Sequence, residues 1–158
     1  MSFLRYLMLL SLIVWLGGLI FFSFVLAPAA FAVLPTRHLA GSVVARSLTS
    51  LHWIGIVSGL IFLATSMLYA RLHEGSAHPF AVRHVLIMVM LLLTCISQFG
   101  ITPRMHALRA AVGEIDNVSL SDPARVRFNA LHAWSTRLEG GVFFLGLVVA
   151  YLVAQRLA

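Results

Sequence analysis

The sequence predicts an all-α protein, an antiparallel four-helix bundle integral to a membrane. Composition is the first reason: 61% of the 158 residues are hydrophobic, only 10% are charged, and the mean hydropathy is +0.99. A soluble domain of that length cannot hide so much apolar surface, so lipid must solvate much of it. Segmentation is the second reason. Four stretches each hold the ~20 apolar residues needed to cross a hydrocarbon core. The connections between them are short, which makes successive spans antiparallel neighbours. Backbone groups cannot be left unpaired in lipid, so the spans are helices. One four-span domain, 1–158, follows.

The first helix is expected at about 3–33. Arg5 followed by an apolar run and "APAAFA" resembles a signal peptide, but the run from Leu7 to Leu26 exceeds the usual apolar region of one, so it is read as a retained span. Pro28 should kink this helix or end its membrane part. After "LPTRHLAG", a second helix is expected at about 42–71. "RLHEGSAHPFAVRH" leads to a third at about 82–109. The polar stretch "GEIDNVSLSD" is the longest connection. Asp122-Pro123, an N-cap followed by proline at the first helical position, opens a fourth helix at about 123–155. The second and fourth helices begin well before their apolar cores and should project beyond the membrane surface.

The net charge of +6 comes entirely from arginine. The arginines sit at segment ends, where they anchor spans, rather than in a nucleic-acid-binding patch. Arg5, Arg71, Arg83 and Arg156 lie on one side; Arg37, Arg46, Arg104, Arg109, Arg125 and Arg127 lie on the other. Four against six places loops 1 and 3 in the cytoplasm, with the bacterial inner membrane as the expected location. The single cysteine, Cys95, permits no internal disulfide and reads as a small buried hydrophobe. No P-loop, dinucleotide fingerprint, HExxH or GxSxG motif is present, and no Ser–His–Asp spacing supports a hydrolase.

The chemistry-bearing residues are seven histidines and an acid inside a span. His84 and His106 are 22 residues apart, roughly 33 Å along a helix, and cannot serve one site. His52, His106 and His132 fall on the side of loops 1 and 3. His132 and Glu139 are two turns apart and share a helical face; Arg137 points about 140° away from His132. "SLHWIGIVSGLIF" and "ALHAWSTRLEGGVFF" resemble an internal repeat that would bring His52 and His132 to similar depth. Gly55 and Gly59 share the face of His52. They either allow close helix approach or make room for a flat cofactor. Ionisable groups within a span usually face the bundle interior, so His52, His132 and Glu139 are the leading site candidates. Two imidazoles on parallel helices could ligate a haem iron; with Glu139 they could bind copper or zinc, or pass protons. The competing reading is a satisfied interior hydrogen bond. Trp15, Trp53 and Trp134 are expected as interfacial anchors.

"VWLGGLIFFSFVLAP", "TPRMHALRA" and "DPARVRFNALHAWSTRLEGG" resemble the transmembrane protein 205 family and its bacterial relatives of unknown function, over almost the whole chain. The resemblance implies four spans and hints at export or trafficking. More distantly the chain is similar to copper-resistance CopD-like proteins and haem-containing membrane protoporphyrinogen oxidases, from which it departs in having no histidine in helix 1. That likeness implies b-type haem.

The leading expectation is therefore a haem b protein in electron transfer with a membrane redox partner. His52 and His132 would be axial ligands, Arg137 and Glu139 supporting groups, and Gly55 and Gly59 the clearance. The second is a copper, zinc or small-solute transport or resistance protein using His52, His106, His132 and Glu139. The third is a non-catalytic assembly factor without a cofactor. The lipid bilayer is the expected partner in all three, a homo-oligomer an open one, and nucleic acid none.

Overall fold

The computed structural model describes residues 2–75 and 80–155; His78 and Arg156, placed in loop 2 and at the C-terminus by the sequence, lie outside the described residues. The described residues form four helices long and apolar enough to cross a membrane: α1 (Ser2–Val33), α2 (Arg37–Glu74), α3 (Val82–Val112) and α4 (Pro123–Ala154). Strands are absent among them. The protein is an all-α integral membrane bundle. Each helix packs on its neighbours in sequence, and α4 returns to α1 to close the ring.

Local sequence explains the ends. Thr36 is extended, and its hydroxyl accepts from the Leu39 N–H at 3.2 Å, starting α2 five residues before the expected position. Gly75 ends α2 with φ of 72°, a left-handed conformation that glycine adopts without steric cost. The Asp122 carboxylate accepts from the Ala124 N–H at 2.7 Å, and Pro123 follows as the first helical residue of α4. In loop 3, Arg125 Nη1 donates to the carbonyls of Asp116 and Val118, holding the short turn Ile115–Asn117 against the start of α4.

Neither proline interrupts its helix. α1 contains a π-helical stretch at Phe22–Leu26 and α3 another at Ile96–Ile101. Each ends two residues before a proline, Pro28 or Pro103. The wider turn, with Ala27 N–H bonding to Phe22 O and Thr102 N–H to Ser97 O, re-satisfies backbone groups beside a residue that cannot donate. The kink or end expected at Pro28 is thus absorbed as a π turn, and α1 continues to Val33.

The apolar centre is built by Leu12, Trp15, Leu16, Leu19, Phe62, Ile87, Met90, Val142 and Val149. Trp15 is not an interfacial anchor: it is 2% exposed. A Cβ on Gly55 would lie 2.5 Å from Trp15 Nε1, and one on Gly59 would lie 2.8 Å from Trp15 Cζ3 and 2.6 Å from Leu91 Cδ2. The two glycines clear space for a flat ring, and that ring is the chain's own indole. Gly146 likewise admits Leu16 from α1. Trp53 and Trp134 do lie at the surface, about half-exposed.

Candidate functional site

The antiparallel pair α2/α3 carries two polar rungs. In the first, His52 Nδ1 lies 2.8 Å from Gln98 Oε1, and Nε2 lies 2.6 Å from Glu139 Oε1, so α2, α3 and α4 meet at one imidazole. His52 is 1% exposed and the Glu139 side chain 14%. In the second, Ser66 Oγ lies 2.8 Å from His84 Nε2 and accepts from Arg83 Nε–H at 3.0 Å; all three residues are buried. The rungs are 14 residues apart on both helices (52 to 66, 84 to 98), roughly 21 Å of rise. Between them lie Phe62, Ile87 and Met90, each at most 1% exposed.

The structure joins His52 to Glu139 and leaves His132 apart. His132 is exposed, and its carbonyl accepts from Thr136 Oγ1. The reason is depth. Counting from the helix starts, His52 is 15 residues into α2 and Glu139 is 16 into α4, whereas His132 is only 9 in (52 − 37, 139 − 123, 132 − 123). Aligning the two Leu-His pairs as a repeat misplaces helix 4 by two turns. Arg137 is exposed and stacks over the Trp134 ring at 5.3 Å, on a different face from Glu139. His106 is exposed on α3 toward loop 3. Among the described residues no three His, Cys, Asp or Glu side chains cluster as metal donors.

A bis-imidazole haem does not fit this arrangement. Both nitrogens of His52 are engaged, His132 faces outward, and Trp15 fills the clearance at Gly55 and Gly59.

What the pair can do is hold and exchange one proton. With Gln98 presenting Oε1, the ring donates from Nδ1. A proton in the 2.6 Å contact at Nε2 then gives either imidazolium–carboxylate or imidazole–carboxylic acid, both neutral overall. Removing that proton would set two acceptors face to face. The conflict is relieved if the ring shifts tautomer, so that Nε2–H donates to the carboxylate, and Gln98 turns its NH2 toward the bare Nδ1. Loss or gain of one proton is thereby linked to rotation of one buried amide. Next to Gln98 in the chain, Ser97 is fully buried, and among the described residues its hydroxyl has no partner.

The sequence reading missed Gln98, Ser66 and Arg83. Gln98 carries no charge and so escaped a search for ionisable groups; its signal is a lone amide in the apolar run "LLLTCISQFGI". His84 and Arg83 were visible only as loop-2 residues, because a helix start says nothing of burial.

A domain of unknown function, DUF4149, matches residues 10–114. The chain belongs to the DUF4149 family. The match spans α1 to α3, including His52, Gln98, Pro28 and Pro103, and stops before α4 and Glu139. No curated protein and no solved structure matches the chain.

Proposed function

We propose that this DUF4149 protein is a proton-handling membrane protein of the small-solute transport or resistance class, with His52 and Glu139 as the proton-binding pair and Gln98 as its positioning residue. The 2.6 Å contact between a buried imidazole and a carboxylate contributed by a different helix carries this reading. Such groups are costly within a span and are retained where they bind or relay charge. Glu139 is partly exposed, and the apolar layer of Phe62, Ile87 and Met90 lies between the pair and loop 2. A path closed on one side at a time is what coupled transport requires. The resemblance to the transmembrane protein 205 family and to CopD-like proteins supports the same class, and we place loops 1 and 3 in the cytoplasm of a bacterial inner membrane.

Proteoliposomes loaded with a pH-sensitive dye test it under an imposed potential. The wild-type chain should move protons faster than protein-free vesicles. Glu139→Gln, which keeps an acceptor for Nε2–H but holds no proton, should lower that rate at least tenfold. A wild-type rate equal to the protein-free rate sinks the proposal, as does an unchanged rate in Glu139→Gln.

A further inference from the structure

Helices α3 and α4 carry the same short pattern near loop 3: "RMHAL" at 104–108 and "RFNAL" at 127–131. Arginine, alanine and leucine at i, i+3 and i+4 share a helical face. These six residues, Arg104, Ala107, Leu108, Arg127, Ala130 and Leu131, line a groove of about 540 Å³ between the two helices. The helices are antiparallel, so the two arginines stand at opposite ends of an apolar floor.

Several of the protein's other arginines are engaged by the chain itself. Arg109 is satisfied by the Gly41 carbonyl at 3.0 Å and the Phe128 ring at 5.0 Å. Arg125 reaches loop-3 carbonyls and Asp116, and Arg137 reaches Trp134. Among the described residues, Arg104 and Arg127 have no hydrogen bond, ion pair or ring contact with the chain, and both are exposed. Two cations beside an apolar trough call for an amphiphile with an anionic head.

Depth narrows its class. Arg104 lies six residues from Gln98, and Arg127 twelve from Glu139, roughly 9 and 18 Å along the axes on the loop-3 side of the His52–Glu139 pair. That pair separates the apolar stretch 140–154 of α4 from a loop-3 half that carries Arg125, Arg127, Asn129 and Arg137. The groove therefore lies where α3 and α4 leave the hydrocarbon and enter the head-group layer, the usual place for basic pockets that hold anionic lipids. We infer that the α3/α4 groove is a binding site for an anionic phospholipid, with Arg104 and Arg127 on the phosphate groups and Ala107, Leu108, Ala130 and Leu131 against the carbon atoms that lie between them. Two separated guanidiniums favour a lipid with two phosphates over one.

Native mass spectrometry of the full chain in neutral detergent, titrated with phosphatidylcholine, phosphatidylglycerol or cardiolipin, tests this. Retention should rise in that order, with cardiolipin at least tenfold above phosphatidylcholine. Arg104→Gln with Arg127→Gln should abolish the ranking, while Arg46→Gln, an exposed arginine outside the groove, should preserve it. Equal retention of all three lipids overturns the site. So does a ranking that survives the double substitution, or one that falls equally in Arg46→Gln, which would mean diffuse charge attraction. Inorganic phosphate displacing cardiolipin at equal concentration would show an anion site without lipid recognition and also overturns it.

Discussion

The two rungs of the α2/α3 pair are each built on a buried histidine and differ in the charged partner that completes them. Each has a buried histidine 2.8 Å from a neutral polar group on the facing helix. The rung near loop 2 adds Arg83, a permanent cation, and the rung toward loop 3 adds Glu139, a carboxylate that can hold or release a proton. In the rung near loop 2, the Ser66 hydroxyl accepts from the Arg83 guanidinium and lies 2.8 Å from His84 Nε2. In the rung toward loop 3, the proposed function gives one proton two homes, His52 and Glu139. Burial and hydrogen bonding are common to both rungs; the proposed function rests on the acidic partner that one of them has.

This contrast can be broken most strongly at His52. His52→Ala leaves a carboxylate and an amide without their shared partner and should cost about 3 kcal/mol, read as a large fall in the thermal midpoint in detergent, together with loss of proton flux. Ser66→Ala strips one bond each from Arg83 and His84 and should cost about 2 kcal/mol while leaving flux per folded molecule unchanged; a flux loss as deep as that of Glu139→Gln would erase the distinction between the rungs. Gly55→Ala drives a methyl into Trp15 Nε1 and should cost about 1–2 kcal/mol, with a shift in tryptophan fluorescence. Gln98→Leu should sharpen the comparison further: it removes the rotating amide but keeps both titrating groups, so proton exchange should slow less than in Glu139→Gln.

Much of the fold was readable because its cause is local and repetitive. Four apolar runs and the Asp122-Pro123 start require only length and capping rules, and the structure follows them. His52 and Glu139 were found by the same logic, as ionisable residues in spans. Their partnership was not, since it depends on how far α4 slides along α2, and a two-residue likeness between helices does not set that offset. Trp15 was misread for a related reason. An indole near a span centre is placed by the small residues opposite it, here Gly55 and Gly59, and those lie forty residues away in the chain. Gln98 needed a different question, namely which uncharged polar side chains an apolar run retains.

The π turn at Ile96–Ile101 has a consequence for how α3 is aimed. A wider turn takes up one more residue than an α-helix does over the same rise. Everything beyond it is therefore rotated by about 100° relative to a straight continuation. The half of α3 that faces Phe62 and Trp15 and the half that carries Arg104 and Ala107 thus have independent headings, joined at the turn that also bears Gln98. Shortening that turn by a single residue would leave four helices and every side chain discussed above except the one deleted. It would also swing the arginine away from α4 like a compass needle reset at its pivot.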